Sequence, residues 1–469
     1  MNTTIDISNK NSSNLPVLSD NVFFRYFNFI ALNFAQGVPE GMLLFGIPAW
    51  MAMNGKSSGE IASFAIACGF PWSFKFTVAP LMDRYTYLPM GRKRPWVLLG
   101  QLVLIVSCIN MAYVPNPLNN LNQFMMAGFI VSFFGAFQDV ATDGMAVDIS
   151  PNDQQARANG LMWASKMVAI STTLALGTWL LNKYNFTISI LMLAAMIGII
   201  ILVPLFLRER QEEKILPWTI GIASTETKKL QLTNWTALFK SLYSVFSLKN
   251  SLLFALIIFI TQGFYNYLDV LLPIFTVTEL GWRNVDYSQV YAIATLIGGI
   301  SSMLLGGFLL EKFGKKRMMN IYFFCMVAFT VILALIKSYW VNASFIYSYM
   351  VLFNIMSVFA SIGVFAIAMQ CCWKKVSASQ FILYMTISNL GIIALAALIG
   401  STRANLSREI TLLGFTIMIG FAWLLIQFLN INKQVEGVEK LDNKDLKKGG
   451  MMVTLAQVLQ YKLLIKTTI

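Results

Sequence analysis

Long apolar blocks follow one another along almost the whole 469-residue chain and are separated by polar loops. Each block has roughly 20 residues or more, which is enough for an α-helix to cross about 30 Å of hydrocarbon. Strands of a membrane barrel would instead alternate apolar and polar residues over about 10 positions. We therefore predict an all-α polytopic membrane protein with about twelve transmembrane helices. The predicted spans are 22–52, 59–80, 95–114, 121–147, 156–181, 186–207, 250–277, 287–310, 318–337, 343–371, 377–402 and 409–431.

Charged residues make up only 12% of the chain, whereas soluble chains carry about 25%. The net charge of +13 invites a nucleic-acid interpretation, but the placement of the charges argues against it. About 18 Lys and Arg residues lie in the loops after every second span, against about 6 in the opposite loops. This asymmetry follows the positive-inside rule and predicts that both termini and the 208–249 loop are cytoplasmic.

The chain contains an internal repeat with an offset of about half its length. Gln36-Gly37 in span 1 corresponds to Gln262-Gly263 in span 7, and the basic loops after spans 2 and 8 correspond at nearly the same offset. Two matches at one offset indicate two related halves, and repeats of this kind carry the substrate site near the membrane midplane. The predicted division is a cytoplasmic N-terminal tail (1–21), a six-helix bundle (22–207), a cytoplasmic linker (208–249), a second six-helix bundle (250–431) and a cytoplasmic C-terminal tail (432–469).

An acidic residue followed by a glycine and a basic run occurs after both span 2 and span 8. The first copy runs from Asp83-Arg84 to Gly91-Arg92-Lys93-Arg94, and the second from Glu311-Lys312 to Gly314-Lys315-Lys316-Arg317. This pattern resembles the loop signature of the major facilitator superfamily, in which the acidic residue helps to hold one gate shut. The alternative is a basic loop that only fixes topology. The resemblance implies the major facilitator fold and gating roles for Asp83, Arg84, Arg92, Arg94, Glu311, Lys312, Lys315 and Arg317.

Two longer motifs narrow the resemblance. The run 76–101 and the run 138–144, followed by Asp148 and Pro151, are similar to the family of AmpG-type muropeptide permeases and acetyl-CoA transporters. The second half resembles that family only in outline. The resemblance implies a secondary transporter of the bacterial inner (plasma) membrane, a proton symporter that imports a bulky polar solute such as an anhydromuramyl sugar-peptide. The alternatives are acetyl-CoA or a siderophore-like solute.

A few charged residues lie inside predicted spans, where each costs roughly 2.5–3.5 kcal/mol or more and should face the interior with a partner. The chain has no histidine, so proton coupling would have to use carboxylates. These intramembrane charges are Glu40, Lys75, Asp139, Asp143, Lys166 and Asp269.

Asp139, Asp143 and Glu40 are the predicted proton-coupling residues. Asp139 and Asp143 are four positions apart and share a helix face, and Lys75, Asp139 and Lys166 lie at nearly one depth when counted at 1.5 Å per residue. We expect Lys166 to oppose Asp139 and to control its proton. Static ion pairs are the alternative role for Asp139 and Asp143. For Glu40 the alternative is an interaction with the loosened backbone of a broken helix. Asp269 could equally lie at the membrane interface.

Lys166 and Lys75 are also candidate substrate ligands, because AmpG-type permeases resemble this chain in having basic residues there. A counter-ion role for each lysine stays open. That family offers no acidic residue that matches Glu40, which points to a different substrate or proton site. Aromatic rings such as Trp50 and Trp72 can stack on sugars, although most belong to the core or the interfacial belt. The full set of predicted substrate-binding residues is Lys166, Lys75, Gln36, Gln138, Trp163 and Tyr265.

The sequence does not predict an enzyme. It has no histidine, no cysteine pair at metal-ligand spacing and no G-x-S-x-G segment, and it lacks the phosphate-binding G-x-x-x-x-G-K-[ST] loop of ATP-driven transporters. We expect a monomer whose partners are a small solute, protons and membrane lipid. We expect it to bind no metal, cofactor or nucleic acid. A non-transporting receptor with a transporter fold is the remaining class, and measurement of solute flux separates it from a transporter.

Overall fold

The computed structural model describes residues 17–232, 234–278, 280–282, 284–402 and 408–444. This part of the chain is almost entirely helical, and its one β-type pairing is an isolated bridge between Val17 and Arg208. The helices are α1 (Val22–Glu40), α2 (Ile47–Met53), α3 (Ser58–Ser73), α4 (Lys75–Arg84), α5 (Arg94–Ala112), α6 (Leu121–Ile149), α7 (Gln155–Lys183), α8 (Phe186–Ile200), α9 (Leu202–Phe206), α10 (Thr225–Lys229), α11 (Trp235–Phe246), α12 (Lys249–Thr278), α13 (Asn284–Ser301), α14 (Gly307–Phe313), α15 (Lys315–Leu335), α16 (Ala343–Cys371), α17 (Ser377–Thr402), α18 (Arg408–Phe428) and α19 (Ile431–Lys444).

These helices confirm the predicted all-α class. Within the described residues, nine helices or continuous helix pairs are long and apolar enough to cross a membrane, and the number reaches eleven if two bent pairs each count as one span. Every predicted span lies on one or more of the helices, and most ends agree within a few residues. The agreement reflects the length of the apolar blocks, since few other structures satisfy the backbone hydrogen bonds of such a segment in lipid.

The chain divides into two compact units. Unit 1 comprises the residues up to 151 together with 160–233, and unit 2 comprises 152–159 and the residues from 234 onward. The core of unit 1 includes the stacked rings of Phe64 and Phe124, with centroids 4.6 Å apart. In unit 2, the buried rings of Phe254 and Tyr384 meet edge to face at 5.2 Å.

Span 1 does not contain the broken helix on which the alternative interpretation of Glu40 depends. Helix α1 continues through Pro39 to Glu40, and the irregular part is the π-helical segment Gly41–Gly46 that follows directly. Helix α2 then completes the span. A π-helical turn changes the direction of the side chains that follow it, and such turns are frequent at functional sites. Glu40 therefore lies at the junction of the regular and the π-helical turns.

The repeated basic loops share one backbone feature. Gly91 has φ +106° and Gly314 has φ +86°, a region that side chains with a Cβ rarely adopt. Each glycine lies between the acidic residue of its loop and the basic run. The same positive-φ glycine turn therefore occurs at corresponding places of the two sequence repeats.

The predicted polar linker contains two short helices, α10 and α11, and no helix of spanning length among its described residues. Helix α19 follows α18 at a bend of 54°. The rest of the predicted C-terminal tail, from residue 445 onward, lies outside the described residues.

Candidate functional site

Two glycines bring helix α1 close to helix α7 inside unit 1. A Cβ atom on Gly37 would stand 2.6 Å from the backbone oxygen of Lys166, and one on Gly41 would stand 2.5 Å from that of Ile170. Small residues four positions apart allow this kind of close backbone approach between membrane helices. The seam therefore holds Glu40, which lies between the two glycines along α1, against the face of α7 that carries Lys166.

Lys166 and Glu40 form an ion pair across this seam. The Lys166 Nζ atom lies 2.8 Å from Glu40 Oε1, and the side chains are 18% and 11% exposed. Sequence reasoning had expected Asp139 as the partner of Lys166. The structure gives Lys166 a different partner because the helical path through Pro39 and the glycine seam bring α1 against this face of α7, an arrangement that depth along each span does not reveal.

Lys75 and Asp139 form the second ion pair. Lys75 is the first residue of α4, Asp139 lies in the middle of α6, and both side chains are less than a tenth exposed. The two residues are 64 positions apart in sequence, and they meet because α4 packs along α6. This pairing was one of the alternatives that the sequence left open for Lys75.

The indole ring of Trp72 connects the two pairs. The Nζ atoms of Lys75 and Lys166 lie 4.3 Å and 4.9 Å from the ring centroid, within the range of cation–π attraction. The indole Nε1 donates a hydrogen bond of 2.8 Å to Ser132 Oγ, and this hydroxyl in turn donates to the backbone oxygen of Cys68. These bonds hold the ring close to both ammonium groups.

Asp143 completes the group. It lies one helical turn after Asp139 on α6 and is 7% exposed. Among the described residues it forms no hydrogen bond and no ion pair within 4.0 Å. We call Glu40, Lys75, Asp139, Asp143 and Lys166, together with Trp72, the charged cluster; it holds three carboxylates and two ammonium groups, all in unit 1.

The other predicted substrate ligands have different surroundings. Gln138 is fully buried and donates a 2.9 Å hydrogen bond to the backbone oxygen of Leu32, which ties α6 to α1. Gln36 is buried on α1, and Trp163 is partly buried on α7. The side chains of Tyr265 and Asp269 lie outside the described residues.

The first basic loop forms a separate buried network. The Lys93 Nζ atom lies 2.5 Å and the Arg92 Nη2 atom 3.3 Å from Asp83 Oδ1. Arg92 Nη1 also donates to both oxygens of Asp148, at 2.9 and 3.1 Å. All these side chains are at most 1% exposed. Burial lowers the pKa of Lys93, although the negative charge of Asp83 opposes the shift.

A carboxylate that the sequence analysis did not single out holds the same loop. Glu209 accepts hydrogen bonds from the backbone N–H groups of Arg92 at 2.8 Å, of Lys93 at 2.7 Å and of Arg94. A Cβ atom on Gly91 would stand 2.7 Å from Glu209 Cδ, so the glycine makes room for the carboxylate. The signal available in the sequence was an acidic residue directly after span 6, facing a glycine-led basic run.

The other predicted gating residues of this loop point elsewhere. Arg94 donates to the backbone oxygens of Pro204, Leu205, Lys214 and Ile215 at 2.6 to 2.9 Å. Arg84 donates to the backbone oxygen of Leu232 at 3.1 Å. Both arginines therefore bind backbone oxygens of the linker, and Arg94 also binds those of α9. Among the described contacts, neither arginine contacts Asp83.

In unit 2, Glu311 accepts from Arg157 twice. Arg157 Nη2 lies 2.6 Å from Glu311 Oε2, and the Arg157 backbone N–H donates to Oε1 at 3.1 Å. Lys315 donates to Gln370 Oε1 at 2.6 Å. The ammonium group of Lys312 lies over the rings of Phe308 and Phe313. Arg317 lines a neighbouring cavity of about 640 Å³.

The family model described as Major Facilitator Superfamily matches residues 29–396, which is well over half of the chain. The chain belongs to the Major Facilitator Superfamily. It is accordingly a multi-pass membrane transporter with the fold of that family.

Relatives of this superfamily member include the anhydromuropeptide permease of Escherichia coli strain K12, which is 24% identical over 368 residues, covering 77% of this chain and 71% of the permease. Among solved structures, the E. coli fucose:proton symporter FucP matches with a TM-score of 0.63 at 13% identity and covers 87% of this chain and 98% of its own. The proton:xylose symporter XylE matches with a TM-score of 0.60 at 10% identity, over 90% and 98%. At such identities, the two solved structures show the fold alone.

Proposed function

We propose that this transporter is a proton-coupled symporter that imports a bulky, negatively charged polar solute of the muropeptide class across the bacterial inner membrane. The name of the E. coli permease relative supports the solute class. The excess of basic residues in alternate loops supports a topology with both termini in the cytoplasm.

The observation that carries the proposal is the charge balance of the charged cluster. Its three carboxylates exceed its two ammonium groups by one, and all five side chains are at most 18% exposed. Unbalanced charge inside a membrane protein is costly. The unpaired Asp143 is therefore the group that holds a proton in the resting cluster.

A substrate carboxylate would enter this cluster as a fourth anion. Lys166 is the group that can bind it, because its side chain is 18% exposed, whereas that of Lys75 is 9% exposed. Glu40 would then lose its partner. Keeping the charge of the buried cluster unchanged requires one further proton for each negative charge that the substrate brings, and Glu40 is the group that is free to take it.

This exchange couples the two solutes through differential binding. The state with the Lys166–Glu40 pair closed favours neither substrate nor proton, and the state with the pair open favours both. Trp72 keeps the two ammonium groups in place during the exchange. Asp139 remains with Lys75 as the fixed pair of the cluster.

We further propose that Asp83 and Glu311 act in gating and not in substrate binding. Asp83 belongs to the fully buried network of the first basic loop, and Glu311 is bound to Arg157 near the start of α7. Arg157 and Lys166 are nine positions apart on one helix. A shift of α7 that alters the charged cluster would therefore also change the Arg157–Glu311 ion pair.

Uptake into proteoliposomes tests the proposed function. The purified protein should accumulate a labelled anhydromuropeptide when the outside is made acidic, and acetyl-CoA and a siderophore should not compete at equal concentration. Uptake of labelled acetyl-CoA in the absence of muropeptide uptake would favour the nucleotide thioester. Absence of uptake of all three solutes with a folded protein would contradict the proposal.

A further inference from the structure

Helix α11 presents three different faces around its axis. Its 12 residues run from Trp235 to Phe246, and the side chain of Asn234 caps the N-terminus by accepting from the Ala237 N–H at 2.7 Å. The first face is buried in unit 2 against α12 and the turn Lys374–Val376. Its residues are Leu238, Ser241, Leu242 and Val245.

The second face is aromatic and exposed. Trp235, Phe239 and Tyr243 are 37%, 58% and 77% exposed, and the rings of the first two stack at 6.1 Å. Since an α-helix turns about 100° per residue, side chains four positions apart are offset by about 40°, and these three rings together span an arc of about 80°. Three large rings on one narrow arc form a continuous apolar stripe.

The third face is polar and lies beyond the aromatic arc. Thr236, Lys240 and Ser244 occupy it, and the helix contains no acidic residue. The order around the axis is thus protein, aromatic stripe and polar face. A helix that lies along a membrane surface beside its own protein has this order, because its sides meet protein, acyl chains and water in turn.

The direction of α11 agrees with this placement. Its axis is bent by 79° from the part of α12 that runs from Lys249 to Gly263. Helix α12 has 30 residues, about 45 Å at 1.5 Å per residue, so it crosses the membrane without help from α11. A helix nearly perpendicular to a spanning helix runs close to the plane of the bilayer. Leu252 and Leu256, near the start of α12, are also exposed.

We propose that α11 is an in-plane membrane anchor. Trp235, Phe239 and Tyr243 enter the boundary between headgroups and acyl chains, where aromatic side chains are favoured. Lys240 on the polar face, together with the neighbouring Lys249, selects phospholipids with a net negative headgroup. The anchor fixes the end of the linker to the bilayer surface directly before α12. The proposal requires only that α12 spans the membrane and does not depend on the proposed transport function.

Spin labels on two faces of the helix test the proposal in the full-length protein. In a background without native cysteines, a label is attached at Phe239→Cys or at Ser244→Cys, and the protein is placed in nanodiscs of phosphatidylcholine with or without phosphatidylglycerol. We expect the ratio of oxygen to nickel-chelate accessibility to be several-fold higher at position 239 than at 244. Phosphatidylglycerol should widen the difference.

Two results would overturn the anchor. Equal and high nickel-chelate accessibility at both positions would place the stripe in water. A label at 239 that is immobile and inaccessible to oxygen and nickel alike would indicate that another protein surface covers the stripe. Uptake or thermal unfolding of the labelled variants confirms that each protein is folded.

Discussion

At the scale of single residues, the charged cluster is a set of unequal pairs. Lys75 and Asp139 are both less than a tenth exposed, whereas the Lys166–Glu40 pair keeps some access to solvent. Breaking a buried pair by removal of one partner leaves an uncompensated charge, which costs more than the pair itself contributes. In the proposed mechanism, the Lys75–Asp139 pair stays fixed and the substrate opens the Lys166–Glu40 pair.

Removal of Lys166 tests the pair that opens. Lys166→Ala leaves the Glu40 carboxylate without its partner and should destabilise the protein by up to about 3–5 kcal/mol. Adding Glu40→Gln removes the orphaned charge and should restore most of the loss. Thermal unfolding in detergent measures both. If the double variant melts no higher than Lys166→Ala alone, the two residues are not paired in the protein.

Glu213 gives the linker a pH dependence. It is 1% exposed, and burial together with the nearby Glu209 carboxylate raises its pKa to about 8. A carboxyl group with a raised folded-state pKa favours folding when protonated. Its contribution is complete below its ordinary value of about 4.5 and is lost as the pH rises through about 8.

The Glu213→Gln variant should accordingly lose less of its melting temperature than the wild type between pH 6 and 9, because the amide cannot ionise. Glu212→Gln changes an exposed neighbour and should follow the wild type. If the melting temperatures of all three proteins change with pH in the same way across this range, Glu213 is ionised throughout.

At the scale of elements, the seam between α1 and α7 sets the geometry of the cluster. Gly37 and Gly41 allow the backbones to touch, and the π-helical segment Gly41–Gly46 begins at the same point. Glu40 is held between them. The position of this one carboxylate therefore depends on the two glycines beside it.

A methyl group in this seam should be costly. Gly41→Ala brings a Cβ to 2.5 Å from the Ile170 oxygen and from Thr173 Oγ1, and the required backbone shift should cost about 1–3 kcal/mol. Gly198→Ala on α8 is the matched control, because a Cβ there meets no atom within 4 Å; it should be neutral or stabilise by up to about 1 kcal/mol. Equal melting temperatures for the two variants would contradict a tight seam.

The gating contact is tested by transport and binding together. Glu311→Gln removes the charge that Arg157 Nη2 meets at 2.6 Å and should slow transport, while substrate affinity stays within about threefold, a change of less than about 1 kcal/mol. Lys312→Gln alters a neighbour whose described contacts are with the rings of Phe308 and Phe313, and it should change transport less. Loss of substrate binding in a folded Glu311→Gln protein would assign Glu311 to the substrate site.

At the scale of the whole molecule, hydrophobic length and charge cost predicted the spans and the charged positions, because both act locally along one helix. The pairing could not be predicted in the same way. Lys75, Asp139 and Lys166 share a depth, but the partner of Lys166 depends on how α1 is rotated, and the glycine seam fixes that rotation. The role of Glu209 could not be predicted from the sequence, because a carboxylate in a loop belongs to no periodic pattern.

The charge balance predicts how coupling fails. With either Glu40→Gln or Asp143→Asn alone, the cluster still holds one carboxylate that becomes unpaired when a substrate anion binds Lys166, so proton uptake continues. With both changes, Asp139 faces two ammonium groups, and the substrate anion restores neutrality without a proton. The double variant should therefore bind and exchange substrate but lose its response to the proton gradient.

The most direct test measures labelled anhydromuropeptide in proteoliposomes carrying the wild type, each single variant and the Glu40→Gln/Asp143→Asn double variant. Gradient-driven accumulation is compared with exchange at equal pH on both sides. The account predicts accumulation by the wild type and both single variants, and exchange without accumulation by the double variant. Accumulation by the double variant at the wild-type level would contradict the claim that these carboxylates of the charged cluster carry the coupling proton.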